Sequence, residues 1–188
     1  KGTGEIDYHI GMDFFRDEEG VLCIKPAKYI SKMVETYERL FGTSPSQKYT
    51  SPLLDGDHPE LDDSELLDEE GTQQYQSLIG MLQWVISIGR FDIQTAVMSL
   101  SSFRASPRRG HLDRAKRIFG YLRKFQGATI RIRTGIPDYS SLPDQIVDWS
   151  TTPYGEGKEI KPSNAPRPLG RPVVSTTYVD ANLMHDIT

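Results

Sequence analysis

The stretch QSLIGMLQW (76–84) lies in a segment whose apolar residues recur at three- and four-residue spacing: Tyr75, Leu78, Ile79, Leu82, Val85 and Ile86. That spacing predicts an α-helix over about 72–88 with one buried face. Two residues sit badly in it. Gly80 costs about 1 kcal/mol relative to alanine in a helix interior, and Trp84 falls off the apolar stripe. Successive helical residues are about 100° apart, so Gln76, Gly80 and Trp84 (i, i+4, i+8) lie within roughly 80° of one another, nearly opposite the stripe. The helix therefore has a second organised face made of an amide, a gap and a flat ring. Two readings fit it. In one, Gly80 admits a neighbouring helix and Trp84 packs under a loop; in the other, the face meets a ligand.

Around this helix the pattern is mixed. EIDYHIGMDFF (5–15) alternates, with Ile6, Tyr8, Ile10, Met12 and Phe14 on one face; RDEEG forms a turn and VLCIK a second strand, so a hairpin is expected. Pro26 opens a helix carrying Tyr29, Ile30, Met33, Val34, Tyr37, Leu40 and Phe41, and Gly42 stops it. After the 72–88 helix, Asp92 is placed to cap another with Ile93, Ala96, Val97, Leu100 and Phe103 inward. Ser106-Pro107 punctuates, and a further helix turns Leu112, Ala115, Ile118, Phe119, Leu122 and Phe125 inward. ATIRIRT reads as a short strand. Residues 135–172 hold seven of the chain's twelve prolines and read as an extended connector, and VVSTTYVDANL reads as a last strand. The fold class is α+β.

The 188 residues carry a net charge of −4, but the charge is segregated. Residues 55–70 hold nine acids and no Lys or Arg, whereas 104–133 hold ten basic residues and one acid, a local +9 that leaves −13 elsewhere. The aperiodic stretch 43–71 reads as a mobile acidic linker; it lacks the glycine and terminal glutamate spacing of an EF-hand. On the basic helix, Arg109, Lys116, Arg117, Arg123 and Lys124 lie off the apolar stripe, and one sign of charge dominates two turns. Such a surface displaces counterions from nucleic-acid phosphates, which gives salt-dependent and sequence-independent affinity. His111, on the same helix, reads as structural or phosphate-facing rather than as a base. Cys23 is the single cysteine, so no internal disulfide forms, and an intracellular setting follows most simply. There is no membrane-length apolar run and no signal-peptide pattern at the start. GxSxG, HExxH and Walker motifs are absent.

Two long blocks carry a resemblance. YQSLIGMLQWVISIGRFDIQTAVMSLSSF followed by SPRRGHLDRAKRIFGYLRKFQG is similar to the polymerase region of copia-type LTR retrotransposons, which reads YRxLVGxLxYLxxxRPDIxxAVxxLSRF and then PxxxHxxAAKRxLRYLKGT. GEIDYHIGMDFF and PAKYISKMVETY resemble blocks upstream of it in that family, so the likeness covers nearly all of residues 4–127. Phe91 departs from the proline of RPDI, and the connector is longer than the family's. The resemblance implies a segment of a reverse transcriptase with RNase H. Residues 1–42 would be the end of the palm, with a primer-grip-like hairpin and the first helix. Residues 43–71 would be the acidic linker, 72–134 the helical thumb and connection, 135–172 the proline-rich connector, and 173–188 the start of RNase H.

The polymerase's paired aspartates would precede residue 1. TTYVDANLMHD resembles the first RNase H strand, which makes Asp180 its first metal-binding carboxylate. The helix QxLVGxLxW of retroviral reverse transcriptases is also similar to QSLIGMLQW. Its glutamine, glycine and tryptophan follow the duplex minor groove, which implies that role for Gln76, Gly80 and Trp84. HIGMDF resembles the retroviral primer-grip hairpin, which implies that Ile10, Gly11 and Met12 hold the primer end. The implied partners are an RNA/DNA template–primer duplex and the remainder of a Pol polyprotein; the implied cofactor of the complete enzyme is Mg²⁺. The implied locations are a cytoplasmic virus-like particle and then the nucleus. The alternatives are a degraded or co-opted, non-catalytic nucleic-acid or protein interaction module, or a protein-docking role for the acidic stretch.

Overall fold

Residues 4–133, 151 and 162–167 are described by the computed structural model, and the architecture below is that of 4–133. The fold is α+β. Strands β1 (Tyr8–His9), β2 (Met12–Arg16), β3 (Leu22–Lys25) and β4 (Ile130–Ile132) form one antiparallel sheet in the order β1-β2-β3-β4. Helices α1 (Ala27–Phe41), α2 (Glu69–Ser87), α3 (Gln94–Ser101) and α4 (Arg109–Lys124) supply the core. Two short 3₁₀ turns, Pro59–Leu61 and Phe91–Ile93, complete the order. Among the described residues no helix is long and apolar enough to cross a membrane.

The apolar stripes meet as their spacing predicts. Ile30 and Met33 of α1, Leu78, Ile79 and Leu82 of α2, Val97 and Leu100 of α3, and Ile118 and Phe119 of α4 share one buried cluster. Truncating any of these Leu or Ile side chains to alanine costs about 2–5 kcal/mol. Tyr75 joins the cluster fully buried and donates its hydroxyl to the Leu100 carbonyl at 2.6 Å. Burial pushes the Tyr75 hydroxyl pKa well above its ordinary value, with Arg104 and Arg114 pulling weakly the other way. At the end of α1, Gly42 takes φ 68° and donates its N–H to Glu38 O at 2.8 Å, the left-handed stop that the sequence placed there.

Five expectations change. The alternating run over 5–15 is not one strand, because the chain reverses at Ile10–Gly11 between β1 and β2. Both turn residues have positive φ, 50° and 94°, the sign pattern of a type I′ hairpin turn. Tyr8 pairs with Asp13 and His9 with Met12, so Tyr8 faces away from Met12 and Phe14 instead of beside them. Helix α2 begins at Glu69 rather than near residue 72, since the Asp68 carboxylate accepts from Gly71 N–H at 2.8 Å and Glu69 and Glu70 suit the helix N-terminus.

Asp92 does not cap α3. Its carboxylate is taken by Arg90, a side chain only 1% exposed, at 2.8 and 2.7 Å, and the Tyr121 hydroxyl donates to it at 2.9 Å. Phe125 lies just past α4, 38% exposed, against the Tyr121 ring.

The acidic stretch differs most from a mobile linker. Residues 45–67 run back along α4. Pro45 and Pro59 are buried, Leu66 bridges to Arg108, and the Ser46 carbonyl and Tyr49 ring lie over Gly120 where a side chain would clash. Arg114 reaches two carboxylates of this strap, Asp57 at 2.8 Å and Asp62 in closer contact. Asp57 and Asp62 are therefore internal counter-charges for Arg114 of the basic helix.

Candidate nucleic-acid interface

Helix α2 divides as its wheel requires. Tyr75, Leu78, Ile79, Leu82 and Val85 are buried, and Gln76, Gly80 and Trp84 are exposed. From Gly71 to Gly89 the chain has no Lys, Arg, Asp or Glu, so this exposed face is uncharged along its length. A Cβ built on Gly80 would find no heavy atom within 4 Å. Among the described residues nothing approaches closely there, and the reading in which Gly80 admits a neighbouring helix fails. The close-approach explanation belongs instead to Gly110 and Gly120 of α4, where a Cβ would run into Asp62 and into Ser46 and Tyr49.

Trp84 is 43% exposed, and its other side meets the hairpin turn. A Cβ on Gly11 would lie 3.6 Å from the Trp84 indole nitrogen and 3.1 Å from Ile88 Cδ1. Gly11 is buried there, and its φ of 94° together with that packing requires glycine. Ile10, beside it, projects 54% exposed with φ 50°, a conformation that a β-branched residue adopts only under strain of about 1–3 kcal/mol. Met12 is half-buried and packs against the helical core. The fold thus joins two sequence features some seventy positions apart, the Ile10–Gly11–Met12 turn and the Gln76–Gly80–Trp84 face, through the Gly11–Trp84 contact.

The basic helix is less available than its composition suggests. Arg117 donates to Ser51 Oγ at 2.9 Å and lies over the Tyr49 ring, and Arg123 donates to the Pro45 carbonyl at 2.8 Å. Lys116 sits over the Phe41 ring. Arg109 and Lys124 are exposed, Lys124 with its ammonium near the Phe125 ring. Hydrogen bonding to Asp57 raises the Arg114 pKa further, against a smaller opposing effect of burial. Burial pushes the Asp62 carboxyl up, but the Ser64 hydroxyl and Arg114 more than offset it and hold the carboxyl below its ordinary value.

His111 is structural. Its Nδ1 accepts from Arg108 N–H at 3.1 Å, so Nε2 carries the proton and donates to the Pro59 carbonyl at 2.9 Å, while the ring stacks on Phe103.

One charged residue missing from the sequence-derived set lies beside the α2 face. Gln76 Nε2 donates to the carbonyl of Arg104 at 2.9 Å, and the Arg104 guanidinium donates to Gln83 Oε1 at 3.3 Å. Among the described residues there is no group of three or more His, Cys, Asp or Glu that could hold a metal, and Asp180 lies outside those residues.

Sequence comparison finds a similar curated protein. The chain is 28% identical over 137 residues to the "Putative transposon Ty5-1 protein YCL074W" of Saccharomyces cerevisiae, a match covering 72% of this chain and 42% of that protein. The similarity supports a retrotransposon-related origin. The chain spans less than half the length of that relative. No protein-family profile matches the chain, and no solved structure does.

Proposed function

We propose that this chain is the duplex-gripping segment of a retrotransposon reverse transcriptase, of the copia type that its sequence resembles. The observation that carries the reading is the open, uncharged Gln76–Gly80–Trp84 face, joined through Trp84 to a strained hairpin turn whose Ile10 is exposed. A polymerase must hold a duplex of any sequence, so its grip relies on shape, sugar and phosphate contacts rather than base-edge hydrogen bonds. On this reading Gln76 supplies an amide hydrogen bond, Gly80 leaves room for a sugar, and the Trp84 ring packs on one. The Ile10–Gly11 turn, fixed against the same indole, would carry the primer end.

In the complete enzyme Mg²⁺ would stabilise the attacking and leaving oxygens of nucleotidyl transfer. The described residues contribute position and grip. Asp180 remains a proposed RNase H carboxylate, carried by its sequence context alone.

The test is binding of the 188-residue chain to RNA–DNA duplexes of two unrelated sequences. Equal affinities for the two, weakened together by Trp84→Ala, support the reading. Affinity confined to one sequence, or untouched by Trp84→Ala, removes it.

A further inference from the structure

The α4 cations that the strap contacts are engaged by groups of the protein itself. Arg114 is paired with Asp57 and Asp62, Arg117 is bonded to Ser51 and Arg123 to Pro45. The α2 face carries no charge of its own. Arg104 is placed differently from all of these. It follows α3, is exposed, and is held at both ends of the α2 face, its carbonyl by Gln76 and its guanidinium by Gln83. Those two glutamines are seven residues apart, about 10 Å along the helix axis. The Arg104 side chain therefore runs beside α2 toward Gln83, while the gap at Gly80 stays empty.

We infer that Arg104 binds a backbone phosphate of the duplex whose sugar edge lies on the Gln76–Gly80–Trp84 face. The inference rests on the proposed function of that face and names the charge that the face itself lacks. A guanidinium has five N–H donors in a planar fork, and the long contact to Gln83 occupies one of them. No carboxylate among the described residues pairs with it as Asp57 and Asp62 pair with Arg114. Phosphodiester oxygens border the sugars of a groove on either side, so a neutral strip on the sugars with an arginine at its flank matches both chemistries.

The experiment measures affinity of the 188-residue chain for a short mixed-sequence RNA–DNA duplex across a series of salt concentrations. Each phosphate neutralised contributes about 0.7–0.9 to the slope of log affinity against log salt. Arg104→Gln and Arg104→Ala, which keep the carbonyl that holds Gln76, should each lower the slope by about that amount, and Arg104→Lys should retain it. Gly80→Ala should weaken binding at constant slope. An unchanged slope in Arg104→Gln, with Gly80→Ala still weakening binding, overturns the phosphate contact and leaves the face intact. Failure of both variants to change anything overturns the face and the contact together.

Discussion

Gly80→Ala separates folding from binding. Its Cβ would project into open space, so the methyl meets no steric penalty in the protein alone. Position 80 is interior to α2, and replacing glycine by alanine there gains about 0.8–1.0 kcal/mol of helix propensity. For a folded unit of this size that raises Tm by about 4 °C. On a bound duplex the same methyl would occupy the space assigned to a sugar. Overpacking of that kind costs about 1–3 kcal/mol, which lowers affinity about 5- to 150-fold. Thermal unfolding followed by circular dichroism and duplex binding by fluorescence anisotropy read the two effects separately. The expected variant is more stable and binds worse. A variant that is more stable with undiminished affinity refutes the groove assignment, and one that is less stable refutes the open geometry around Gly80.

Gly11→Ala should behave in the opposite way: φ 94° and the 3.1 Å approach to Ile88 make it destabilising, by about 1–2 kcal/mol from the backbone alone, readable as a lower Tm. Arg114→Met leaves the largely buried Asp57 and Asp62 without their partner and should cost about 3–5 kcal/mol in denaturant unfolding, with the strap at 45–67 becoming protease-sensitive. Acid titration should show the same network. Folded Asp62 has a pKa below the ordinary 3.8, so its contribution is complete above that pH and is lost as pH falls below it. Arg114→Met should flatten that part of the stability curve. On α4, Lys124→Gln should lower the salt slope of duplex binding, whereas Arg123→Gln should chiefly loosen the Pro45 segment and lower Tm.

What was legible in the sequence was periodic. The 3.6-residue spacing of Tyr75, Leu78, Ile79, Leu82 and Val85 placed α2 and, by subtraction, its open face. Periodicity hides the Ile10–Gly11 turn, because a two-residue turn leaves apolar alternation unbroken and isoleucine is a rare residue at positive φ; only the resemblance of HIGMDF to a hairpin pointed there. The strap escaped for a different reason. Its acids stand in an aperiodic stretch that looks solvated, and the partner of Asp57 and Asp62 is Arg114, more than fifty residues later. Counting charge on α4 therefore overstated its free cations. Arg104 was visible only as one of ten basic residues, since its glutamine partners lie on another helix.

Trp84 fluorescence gives the most direct test of the central claim. The chain has two tryptophans, so Trp149→Phe leaves Trp84 as the only such reporter, on the proposed binding face. Titration with a mixed-sequence RNA–DNA duplex should change its emission saturably, with the midpoint moved to higher duplex concentration by Gly80→Ala. Duplex binding that saturates by anisotropy while Trp84 emission stays constant would contradict the account.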